Sequence, residues 1–120
     1  MAITYITNLR NNELIASHTI IAHHFLLRLR GLIGRKTLTK QEAIWISPCQ
    51  QVHTHWMGYA LLIVYLDKSL KVVHIVHHLK PWRFSPLVKN AHSLIELNAA
   101  YRYDIEVGDY LAINAEQVGK

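Results

Sequence analysis

Six consecutive apolar residues, Leu61-Leu-Ile-Val-Tyr-Leu66, run straight into Asp67-Lys-Ser69 and then Lys71-Val-Val-His-Ile-Val76. No other stretch constrains this chain as strongly. A strand that is apolar on both sides has to be covered on both faces, so the first run predicts the interior of a layered sheet. The short polar break predicts a turn, with the chain returning over residues 71–79 as a hairpin. The apolar run, counted from Ala60 to Leu66, is far short of the ~20 residues that a membrane-spanning helix requires.

The remaining segments read mostly as further strands. Residues 2–7 alternate, with Ile3, Tyr5 and Thr7 on one side. Asn11-Asn12 suits a left-handed turn, and residues 13–21, rich in Ile and Thr, form a partner strand. Between 22 and 33 the period changes. Phe25, Leu26, Leu29, Leu32 and Ile33 recur at three- and four-residue spacing, which predicts one amphipathic helix packed on the sheet and ending near Gly31 and Gly34. Further strands are expected at 43–47, where Pro48 stops the ladder, and at 52–57, where His53 and His55 share a face. Residues 81–89, with two prolines and two aromatics, read as an ordered loop. A strand follows at 92–97, a helical turn at 99–104, a turn at Val107-Gly108-Asp109, and a closing strand at 110–114. The chain therefore reads as one mainly β (α+β) domain over 1–120: a small barrel or sandwich of antiparallel strands carrying one principal helix.

Composition narrows the function classes. The 120 residues include 13 Lys and Arg against 8 Asp and Glu, a net charge of +5 that permits acidic partners. The basic residues are dispersed, however, and no nucleic-acid-binding motif or phosphate-binding loop accompanies them. A single cysteine excludes an internal disulfide. The N-terminal sequence lacks the basic, apolar and small-residue regions of a signal peptide, so a cytoplasmic location is expected.

Several blocks in order carry a family resemblance. They are Arg28-Leu-Arg-Gly31-Leu-Ile-Gly34-Arg35, Cys49 with His53-Thr54, Trp56-Met57 leading into Val64-Tyr-Leu-Asp67, Leu79-Lys-Pro81-Trp-Arg83, Ala91-His-Ser-Leu-Ile-Glu96-Leu97 and Val107-Gly108-Asp109. Together they resemble the bacterial family called domain of unknown function 192, over roughly residues 15–113. The resemblance implies a compact β-rich domain with a packed helix, in a family without an established biochemical activity. Some of its members carry secretion signals or are encoded near pilus-assembly genes. This chain departs from the family pattern at Gly58, Leu62 and Ala100.

Three constellations are candidates for chemistry. Cys49 and His53 have the residue types of a nucleophile and base, although no third, orienting group is identifiable. His53 and His55 are candidate metal ligands, with His74, His77 and His78 nearby in sequence, but zinc-type cysteine or carboxylate spacing is missing. Arg28, Arg35 and Arg83 with Trp56 and Trp82, joined by His53 and His55, have the forked donors and stacking faces that suit an anionic or planar ligand. No cofactor is implied, and the oligomeric state is not written in these residues. With no complete catalytic set, the sequence favours a non-enzymatic binding or accessory module. Its partner is an anionic small molecule or a protein, with pilus assembly or secretion as a setting. A Cys49/His53 hydrolase or transferase and a His53/His55 metal-binding protein are the alternatives.

Overall fold

The apolar run forms the hairpin expected of it, with residues 61–66 wholly buried inside a sheet and the returning residues 72–79 at that sheet's edge. The computed structural model describes residues 2–22, 37–55 and 57–117. Eight strands follow in order: β1 (Ala2–Asn8), β2 (Glu13–Ala16), β3 (His18–Ala22), β4 (Glu42–Ile46), β5 (Leu61–Leu66), β6 (Val72–Leu79), β7 (Ser93–Asn98) and β8 (Leu111–Gln117). They form two sheets, one of order β2-β1-β8 and one of order β3-β4-β7-β5-β6.

Every residue of β5 and β7 is buried, because both faces of the five-stranded sheet are covered. On one face Leu62, Val64 and Leu66 of β5 join Ile95 and Leu97 of β7, and pack with Ile6, Ile15 and Leu111 of the smaller sheet. On the other, Leu61, Ile63 and Tyr65 join Leu94 and the β4 residues Ile44 and Ile46. Among the described residues, the cover there comes from loops, through Val52, Met57 and Ala91, with Cys49, Tyr59 and Val88 partly buried against them. Burying a side chain of this size contributes about 1.5–3 kcal/mol.

The two sheets are not closed into a barrel. The barrel expectation fails because residues 13–21 are not one strand. The chain breaks at Ser17, so β2 pairs with β1 in the small sheet while β3 joins β4 in the large one. The β3–β4 pairing is parallel, against the expectation of antiparallel strands throughout. Residues 52–55 are not a strand; they make a single bridge, His53 to Phe84. Residues 99–104 form turn and bend rather than a helical turn. Among the described residues there is no helix, and the helix expected over 22–33 lies almost wholly outside them.

The smaller sheet is fastened to the loop before β8 by a polar clamp. Arg10 Nε donates to Asp109 Oδ1 at 2.8 Å and Nη2 to Asp104 Oδ1 at 2.7 Å. Asn8 Nδ2 donates to Asp109 Oδ2 at 2.8 Å, and the Glu106 amide donates to the same oxygen. Burial alone pushes the Asp109 carboxyl up, but Arg10, Asn8 and the Glu106 amide together hold it below the usual carboxylate range. The Arg10 and Asn11 side chains hold Asp104 down in the same way. Gly108, at φ 101°, supplies the turn geometry in the middle of this loop.

Candidate functional site

The loop-covered face carries most of the chemically capable side chains. Residues 52–55 and 82–85 run side by side, joined by Thr54 N to Arg83 O at 2.8 Å, Trp82 N to Thr54 O at 3.1 Å and Ser85 N to Val52 O at 2.8 Å. Thr54 is fully buried, and its hydroxyl donates to the Lys80 carbonyl and accepts from the Arg83 amide. Ser85 Oγ accepts from the Val52 amide at 2.9 Å. The Thr54 and Ser85 side chains thus reinforce these backbone bonds and fix the segment in place.

On this frame four rings meet. His53 and His55 lie edge to face with centroids 4.7 Å apart. His55 contacts Trp82 at 5.3 Å and Phe84 at 5.1 Å, and His53 contacts Phe84 at 5.8 Å. Trp82 is 50% exposed and Phe84 67% exposed. Trp82 also sits at φ 65°, in the left-handed region that a bulky L-residue occupies only when its surroundings impose it. Arg83 lies between the two aromatics, exposed, its Nη1 donating to the Trp82 carbonyl at 3.4 Å.

The expected ligand set is therefore brought together in part: His53, His55, Trp82 and Arg83 share one loop surface. Arg28, Arg35 and Trp56 lie outside the described residues. Phe84 belongs to the cluster; the sequence marks it as an aromatic of the proline loop but not as a candidate ligand residue. The available signal was its i, i+2 spacing from Trp82 in a loop bounded by Pro81 and Pro86.

Cys49 lies nearer the core. Its Sγ donates to the Gln51 carbonyl at 3.1 Å, and burial pushes the thiol up, with the charge of Glu96 acting in the same direction. Neither effect favours a thiolate. Glu96 is a buried carboxylate on β7, paired in register with Ile44 and Ile63, and it also raises Tyr59, whose hydroxyl is already raised by burial. Among the described residues no three His, Cys, Asp or Glu side chains gather in a way that would hold a metal ion.

Comparison with known proteins decides the family. The DUF192 family, described as an uncharacterised ACR, matches residues 6–113. The chain belongs to the DUF192 family. No functionally curated protein matches it. A protein of unknown function from Novosphingobium aromaticivorans DSM 12444 has a similar fold: TM-score 0.72, 18% identity, 91% of this chain and 82% of that one covered. A protein from Sinorhizobium meliloti 1021, described as a candidate transcription regulator, superposes with TM-score 0.70 at 14% identity, covering 92% of this chain and 91% of its own. Identities this low show a shared fold. In DUF192 terms, the residues matched include both the aromatic loop and the Asp109 clamp.

Proposed function

We propose that this DUF192 protein is a non-enzymatic binding module whose contact surface is the loop carrying Trp82, Arg83 and Phe84, set on His53 and His55, and whose partner is a protein. The observation that carries the reading is Trp82: half exposed, in a left-handed backbone conformation, and fastened by its amide to Thr54. A loop serving only to cover the core has no need to hold a bulky ring outward in a costly conformation. Exposed Trp and Arg on a rigid frame are the residue types that dominate protein–protein contact energy. Leu87, 57% exposed, extends the same loop's apolar character.

The test is co-purification from source cells, identification of any stoichiometric partner, and reconstitution from purified components. Trp82→Ala and Phe84→Ala are each expected to weaken the reconstituted complex by about tenfold or more, while Leu9→Ala, in the turn between β1 and β2, leaves it intact. A purified protein that turns over a substrate, with the activity abolished in Cys49→Ala or His53→Ala, would overturn the proposal in favour of an enzyme.

A further inference from the structure

A cavity of about 470 Å³ opens between the turn joining β5 to β6 and the turn before β7, and none of His53, His55, Trp82, Arg83 or Phe84 lines it. Gln50, Asp67, Lys68, Lys89, Asn90 and His92 line it. That volume falls in the range of small-molecule sites, roughly 300–1,000 Å³. A second concavity of about 250 Å³ adjoins it across Gln50, Ala91 and His92.

We propose that this cavity binds a hydroxyl-bearing phosphate ester of the sugar-phosphate class. Lys68 and Lys89 come from different turns to the same cavity. Among the described residues neither has a carboxylate partner, since the ion pairs there all belong to Arg10. Two lysines lining one concavity favour an anion there, and lysine serves phosphate as a point charge.

The acceptors complete the argument. Both amide hydrogens of Gln50 are engaged, Nε2 donating to the Lys89 carbonyl at 2.8 Å and to the Ala91 carbonyl at 3.2 Å, which leaves Oε1 to accept. Asp67 Oδ1 accepts from the Ser69 and Lys71 amides at 2.8 and 3.0 Å, which leaves Oδ2. Such acceptors suit hydroxyl groups, and the Asp67 charge disfavours a bare anion close to it. The backbone is set in advance. His92 N donates to Leu66 O at 2.7 Å, Cys49 N to His92 O at 2.9 Å, and Leu70 N to Asp67 O at 3.0 Å.

The probe is ribose 5-phosphate, titrated into the full 15N-labelled chain beside ribose and inorganic phosphate. The ester is expected to shift amides at 67–71 and 89–92 and to bind about tenfold or more tightly than either half alone. The double variant Lys68→Glu/Lys89→Glu, with its melting temperature checked, is expected to lose the response, and Trp82→Ala/Phe84→Ala to keep it. No shift at those amides, or an unchanged response in the lysine variant, overturns the site. Inorganic phosphate binding as tightly as the ester overturns the hydroxyl recognition.

Discussion

The two faces of the five-stranded sheet are covered in different ways. One is closed by a second sheet whose own strands pair along nearly their whole length, locked at its end by Arg10, Asp104 and Asp109. Among the described residues, the other is covered by loops in which Thr54 and Ser85 side chains reinforce a few backbone bonds. The sheet-covered face spends its polar groups on fastening. The loop-covered face carries Cys49, the buried Glu96, two histidines and the exposed aromatics. A regular layer fixes side chains in alternation and leaves little freedom to aim them, whereas loops on a rigid sheet can present them.

The largest effects should come from the core and should differ between the faces. Leu66→Ala on the sheet-covered face and Leu61→Ala on the loop-covered face remove the same atoms from fully buried sites. Each is expected to cost about 2–5 kcal/mol in urea unfolding. Leu66→Ala should cost more, because paired strands relax into a cavity less readily than loops do. Equal costs would show that the loops are packed as rigidly as the sheet.

The clamp supplies the next effect. Asp109→Ala removes the acceptor of one of the two Asn8 amide bonds and of the Glu106 N–H, and should cost about 1–3 kcal/mol. Asp104 and Asp109 both have folded-state pKa values below their unfolded ones. The stability they contribute is therefore fully present above the unfolded carboxylate range, near pH ~4, and is lost as pH falls through the lowered folded values. Urea midpoints measured from neutral pH down to acid should fall more steeply for the wild type than for Asp109→Ala. Parallel curves would remove the clamp from the account.

A smaller effect concerns reactivity. With its thiol raised by burial and by Glu96, Cys49 should react with iodoacetamide at pH 7 more slowly than a free cysteine, and accelerate only under alkaline conditions. Fast alkylation at neutral pH would point instead to an activated nucleophile.

Much of this fold was legible in the sequence. The wholly apolar Leu61–Leu66 run foretold a strand covered on both faces, and Asp67-Lys-Ser69 foretold the hairpin. Asn12, at φ 59°, closes the turn that joins β1 to β2 as Asn11-Asn12 suggested. The break at Ser17 was not legible. Ile15 and Ile20–Ile21 have the same local β preference, and only tertiary pairing sends them to different sheets. The aromatic loop was half legible. Trp82 and Arg83 stood out by type, but Phe84 joins His53 through a bridge between residues 31 apart, which no local period encodes. Lys68 and Lys89 were dispersed charges in sequence and share a cavity only once the turns fold together.

The most direct test of the central claim, that the aromatic loop is held for display and not for stability, is equilibrium urea unfolding of Trp82→Gly. Glycine relieves the left-handed backbone at φ 65° while losing the ring's contact with His55, effects of opposite sign and about 1 kcal/mol each. The predicted result is stability within about 1 kcal/mol of the wild type. A loss of about 3 kcal/mol or more, the size expected for deleting a core tryptophan, would contradict the account and make Trp82 a structural residue.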